Sequence, residues 1–239
     1  MSDAKVLFSS ANTTMKRSLY KPTVGAISVA AAMFALATAK ADTTYTLGIS
    51  NLGSGFAGPF GTVTVHWVNL TTATVTFTGE TTADSTGFQY LFGDTFINAN
   101  ATNASISNIT STNAFGTSTP TLTAQPFNSP PPGYAADGFG KFNLEVKAVP
   151  DGSSAGMASE TFTLTDLSGT WADSSQVLIA NSNGAVVADH TLTFQNGTPT
   201  NTTGFASNTG SHVPDGGSTV MLLGTVMAAL GAARRFIKI

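Results

Sequence analysis

Threonine alternates with large apolar residues, one for one, through the middle of this chain, and that spacing restricts the region to β structure. In Gly61-Thr62-Val63-Thr64-Val65-His66-Trp67-Val68 the residues Val63, Val65 and Trp67 fall on one side, with Thr62, Thr64 and His66 on the other. Ala73 to Thr78 repeats the pattern, as do Phe142 to Lys147 and Thr161 to Thr165. Successive side chains of a strand point to opposite faces, so such a segment buries its apolar residues and shows threonine to water. Trp67 is accordingly expected in the core. Shorter candidates are Tyr45 to Ser50, Phe88 to Phe92, Gln176 to Ala180 and Thr191 to Gln195. Turn-forming pairs such as Thr78-Gly79, Asp137-Gly138, Asp151-Gly152, Asn183-Gly184 and Asn196-Gly197 separate them. The pattern predicts an all-β domain over residues 42–195, an antiparallel two-sheet sandwich of jelly-roll kind.

Two stretches depart from the alternation. Asn98 to Pro132 is rich in Asn, Thr, Ser and Pro, and it reads as a weak strand or two followed by an exposed, polyproline-like loop. Residues 196–212 read as a polar linker. Cysteine is absent, which excludes disulfides and cysteine-ligated metal centres. Basic residues collect at the two ends. Between Asp42 and Asp189 only Lys141 and Lys147 stand against eleven acidic residues, a net charge of −9. A surface of that sign repels phosphate backbones, so nucleic acid is not an expected partner.

Both ends carry export signals. Lys16-Arg17-Ser18-Leu19-Tyr20-Lys21 precedes an apolar run from about Thr23 to Ala39, and Ala39-Lys40-Ala41 supplies small residues at the two positions that signal peptidase reads. Residues 1–41 therefore read as a secretory signal peptide whose helix is removed before Asp42, with Met15 a candidate for the true start. At the other end, Val213-Pro214-Asp215-Gly216-Gly217 leads into an apolar run from Thr219 to Ala233, followed by Arg234 and Arg235. As a transmembrane helix that run is about 22 Å long, and flanking residues would complete the span. The basic cluster sets the C-terminus on the cytoplasmic side and the preceding domain outside.

This order of parts resembles the PEP-CTERM class of sorting signals, and most closely its VPDSG-CTERM form, over residues 213–239. The resemblance implies recognition and cleavage by an exosortase, an intramembrane cysteine protease. Val213, Pro214, Asp215 and Gly217 would form the recognition element, and Arg234 and Arg235 the stop. Gly216 stands where the name-giving pattern has serine. The segments 55–65, 90–100 and 137–142 are also similar to extracellular domains that accompany such tails, a likeness that implies a place in extracellular polysaccharide or biofilm matrix.

Catalytic motifs are present only in part. Gly53-Ser54-Gly55-Phe56-Ala57-Gly58 fits G-x-G-x-x-G, but Pro59 and a strand follow where a dinucleotide site needs a helix. Gly152-Ser153-Ser154-Ala155-Gly156 fits G-x-S-x-G, but between two antiparallel strands rather than at a strand-to-helix elbow. The three histidines, His66, His190 and His212, have no short metal-ligand spacing. Asp84, Asp94, Asp137, Asp151, Asp166, Asp173 and Asp189 sit mostly in turns, where they could hold a structural calcium ion; no other cofactor is expected. Of the aromatic residues, Trp171 and Tyr134 are placed in loops and are the candidates for glycan contact. The sequence thus points to a non-catalytic secreted surface or matrix protein, exported across the inner membrane. Signal peptidase, an exosortase and transiently the membrane are its expected partners, with extracellular polysaccharide a further one. A carbohydrate-binding module, or a glycan-active enzyme with two converging carboxylates, are the alternatives.

Overall fold

The computed structural model describes residues 40–152 and 155–214, with side chains described to residue 208. The expected signal helix, most of the sorting tail and the transmembrane helix lie outside these residues. Among the described residues no helix is long and apolar enough to cross a membrane.

Twelve antiparallel strands make up the described chain: β1 (Thr43–Ser50), β2 (Gly61–Asn69), β3 (Thr72–Gly79), β4 (Phe88–Ile97), β5 (Ala104–Asn113), β6 (Thr121–Ala124), β7 (Tyr134–Ala136), β8 (Gly140–Phe142), β9 (Leu144–Val149), β10 (Met157–Asp166), β11 (Val187–Gln195) and β12 (Thr198–Pro214). Ten of them form one sheet in the order β5-β10-β3-β2-β1-β12-β11-β4-β9-β6. A bridge from Met157 of β10 to Phe92 of β4 closes seven of these strands into a barrel-like ring. β7 and β8 form a separate hairpin.

The predicted all-β antiparallel character holds, but the two-sheet sandwich gives way to one curled sheet. The cause is β12, which occupies the residues read as a linker. From Thr198 to Ser207 it pairs with β11, and from Ala206 to Pro214 it pairs with β1. It therefore carries the hydrogen-bond ladder from one half of the barrel to the other, where a sandwich would leave two open edges. Its entry is a two-residue turn at Asn196-Gly197, with φ of 49° and 74°, between paired Gln195 and Thr198. That is the Asn-Gly hairpin turn whose twist matches antiparallel strands.

The alternation read from the sequence sets the two faces. Val63, Val65, Val75, Phe77, Phe162 and Leu164 point inward and are fully buried, packed with Leu47, Tyr90 and Phe92. Phe77 lies edge-on to Phe92 at 6.1 Å. The threonines between them point outward, in register from strand to strand. Thr44, Thr64, Thr76, Thr161 and Thr110 form one continuous row across β1, β2, β3, β10 and β5. A second, smaller core of Phe96, Ala136, Phe142, Ala185 and Ala188 fixes the β7–β8 hairpin. Of the shorter candidates, Gln176–Ala180 is not a strand. Asp173 caps a 3₁₀ turn at Ser174–Gln176, and Leu178 then makes an isolated bridge to Ala99. The weak strands foreseen in 98–132 are β5 and β6; β5 is bulged at Asn108, whose φ is 52°.

If β12 joins the barrel, removing it must open the core. Internal deletion of residues 198–208 is expected to abolish the cooperative thermal transition followed by near-ultraviolet circular dichroism. A linker would tolerate the same deletion with an unchanged melt.

Candidate functional site

The two ends of the described domain meet at one end of the barrel. The register of β1 with β12 sets Thr43 opposite Pro214 and Thr44 opposite Val213. Ala41, of the expected signal peptidase site, lies two residues before β1; its carbonyl accepts a hydrogen bond from Ser174 Oγ, which also bonds Thr43 Oγ1 at 2.9 Å. Asp42 pairs with His66 Nδ1 at 2.7 Å, and Lys40 Nζ lies 4.1 Å from the centre of the Trp67 ring. The chain is thus held in place from its first described residues. Ala39, Asp215, Gly217, Arg234 and Arg235 fall outside the described residues.

The two aromatic glycan candidates differ in exposure. Trp171 is 1% exposed, one of the largest side chains of the core, and its Nε1 donates to Asn100 O at 2.9 Å. The loop that carries it folds inward because Trp171 N also donates to Leu70 O, which closes that end of the barrel. Tyr134 is half-buried against the second core and donates its hydroxyl to Pro126 O at 2.6 Å. Trp67, expected in the core, packs against it while partly buried: it lies near the end of β2, and its Nε1 donates to Trp171 O at 3.0 Å. The Gly53–Gly58 segment is a loop. Its Ala57 N–H donates to Asp84 Oδ2, so a carboxylate of the chain itself takes the donor that an anion would need.

One polar cluster was not foreseen. His190 on β11 holds Asp151 through Nδ1, at 2.9 and 2.7 Å from the two carboxylate oxygens. The register of β4 with β11 shifts here, so Gly93 and Asp94 both face His190. A Cβ on Gly93 would stand 2.0 Å from Asp151 Oδ1, and only glycine leaves room for the pair. Burial lowers the affinity of His190 for its proton, but the Asp151 hydrogen bond and the charges of Asp151, Asp189 and Asp94 outweigh it, and its pKa is raised. Burial also raises Asp94 and Glu145 nearby. Deeper in, Glu160 accepts from Thr95 Oγ1 and Asp189 from Thr191 Oγ1, while Glu160 Oε1 and Asp189 Oδ1 have no partner among the described residues. Desolvation pushes both carboxyls up to about 8. Sequence reading missed this cluster because its members come from four separate strands and a turn, with no local spacing to betray them.

The surface has a cleft of about 990 Å³ between the 98–102, 129–131, 166–170 and 179–183 segments. The amide of Asn143 at its floor is committed to both backbone groups of Ala99, at 2.8 Å each, so it braces the loops. The His190–Asp151 pair does not line this cleft. Among the described residues no group of three or more His, Asp or Glu side chains gathers to hold a metal ion.

Against known protein families, residues 212–236 match the VPDSG-CTERM motif. The chain carries the VPDSG-CTERM sorting signal. Neither a curated protein nor a solved structure matches the chain. The VPDSG-CTERM signal marks a protein sorted by an exosortase and exported to the cell surface or beyond. It begins while the chain is still paired in β12, since Val213 and Pro214 are the last residues of that strand.

The buried acids set a pH dependence. Glu160 and Asp189 keep protons in the folded state that the unfolded chain releases near pH 4, so folding takes up protons between about pH 4 and 8. Stability falls as pH rises through that window. His190, with its pKa raised above 6.5, acts in the same direction, since its contribution is full below 6.5 and is lost as the pH passes its folded value. Asp84 opposes them only in strong acid: burial would raise its pKa, but hydrogen bonds from Tyr90, Thr86 and Phe88 hold it far below the usual range. The melting temperature is therefore expected to be higher at pH 5 than at pH 8. Glu160→Gln and Asp189→Asn should flatten the profile and raise stability at pH 8, and Gly93→Ala should lower the His190 pKa read by NMR titration.

Proposed function

We propose that this chain is a non-catalytic secreted protein of the cell surface or extracellular matrix. One observation carries the reading: a folded β domain fills the interval between the two export signals with almost no residue to spare. β1 starts at Thr43, two residues after Ala41, and β12 runs to Pro214, inside the matched motif. Signal peptidase would cut after Ala41, and the tail would hold the domain at the inner membrane until an exosortase releases it. What remains outside is the barrel alone, in keeping with a structural or adhesive part.

The geometry of the polar groups favours this reading over a glycan-active enzyme. His190 and Asp151 stand apart from the 990 Å³ cleft, and Glu160 and Asp189 are sealed inside the barrel, where a substrate has no access. Paired carboxylates act on a glycosidic bond only from opposite sides of an open cleft.

The intact mass of the protein recovered from envelope and medium tests the reading. A species beginning at Asp42 and ending close to Pro214 is expected. Replacing Arg234 and Arg235 with alanine should leave uncut precursor in the membrane fraction. A wild-type species that retains Arg234 and Arg235 would make the tail a permanent anchor and overturn release by an exosortase.

A further inference from the structure

The outward row of threonines is one of several. The next, Thr46, Thr62, Thr78, Ser159 and Thr112, runs parallel to it across the same five strands, and Thr74, Thr163 and Ser107 continue the array on the other side. Side chains on one face of a strand repeat about every 6.6–6.8 Å and neighbouring strands lie about 4.7–4.9 Å apart, so the hydroxyls form a two-dimensional grid. Neighbours in the grid bond to one another, Thr76 to Thr161 at 3.1 Å and Thr112 to Ser159 at 2.7 Å, which orients them before any ligand arrives. No Asp, Glu, Lys, Arg or His stands in the first two rows; in the third, His66 of β2 lies opposite Thr74 and pairs with Asp42. Elsewhere Asp94, Glu145, Asp151 and His190 gather around β4, β9 and β11. The two central hydroxyl rows thus contrast with that acidic cluster.

We propose that this face of β1, β2, β3, β10 and β5 is a docking surface for a neutral polysaccharide. Each threonine presents a hydroxyl that donates and accepts, beside a methyl group. A sugar chain presents the same mixture, hydroxyl edges alternating with apolar C–H faces. The missing charge selects the ligand. An anionic polymer meets no Lys or Arg in the two central rows and is repelled by the domain's net negative charge, whereas a neutral one has no Coulombic cost there. Sheet twist selects it further. Adjacent strands rotate by roughly 20–25°, so the rows fan out across five strands and match a flexible chain rather than a flat crystal plane. Single contacts of this kind are weak, and retention comes from many along one polymer. The inference rests on the chain reaching the outside, and it supplies what Trp171, buried in the core, does not.

Affinity electrophoresis of the purified full chain, in gels containing dextran, hydroxyethyl cellulose or alginate, tests it independently of sorting. Retardation by at least one neutral polymer and none by alginate is expected. The double variants T76V/T161V and T62E/T78E should lose most of that retardation, by roughly tenfold or more, with Thr82→Val in an exposed loop as the unaffected control. Thermal melts of the variants show whether the fold is kept, and the valine pair preserves shape and strand propensity if the glutamate pair does not fold. Wild-type mobility unchanged by every neutral polymer would overturn the proposal. So would retardation that survives in folded variants, or sedimentation showing that the face instead joins two copies of the chain. Incorrect sorting with normal retardation would overturn the preceding section's reading and leave this one standing.

Discussion

The ladder that β12 makes with β11 and then with β1 is the interaction on which the rest of the domain depends. Thr198 to Ser207 pair with β11 and Ala206 to Pro214 with β1, the two ladders overlapping at Ala206 and Ser207. Unpaired backbone groups in a buried setting cost roughly 1–3 kcal/mol each, so one strand that satisfies two edges is worth more than its few apolar side chains suggest. Its inward Ala206 is fully buried and Phe205 packs against the second core, while most of its other residues are small or polar. Hydrogen bonding, more than apolar burial, holds this strand against the core. The barrel's closure, the register of β1 and the position of the sorting signal all follow.

That explains which parts of the fold were legible in the sequence. β2, β3 and β10 alternate between threonine and Val, Phe or Leu, so their faces and partners could be read from periodicity alone. β12 has no such contrast: Thr198 to Asn208 is polar on both faces except for Phe205 and Ala206. The legible signal was the Asn196-Gly197 pair directly after β11, since a two-residue turn of this kind implies that the chain returns as a strand. Trp171 failed for the opposite reason. A loop position after Ser168-Gly169-Thr170 suggested exposure, yet an indole fills the end of the barrel beneath Leu70 and Asn100. Loop membership describes the backbone and leaves the side chain's destination open.

The polar sites divide in the same manner. The sorting signal was readable because its parts are contiguous and in fixed order. The His190–Asp151 pair was not, because β11 and the turn after β9 are brought together only by the shared neighbour β4, with Gly93 supplying the space. Glu160 lies in the inward row of β10 next to Phe162 and Leu164, and burial among apolar side chains favours its protonated form. An acidic protein that keeps two of its acids neutral inside has less internal repulsion than its composition implies.

The meeting of Thr43 and Pro214 across one ladder has a geometric consequence. A barrel whose first and last strands are neighbours is topologically close to a circle: a short bridge from residue 214 to residue 42 would join them without disturbing any pairing, and the chain could then be opened at another loop. The order of the strands around the barrel does not depend on which loop is left uncut. Such a domain can be removed from both of its flanking segments without losing an edge.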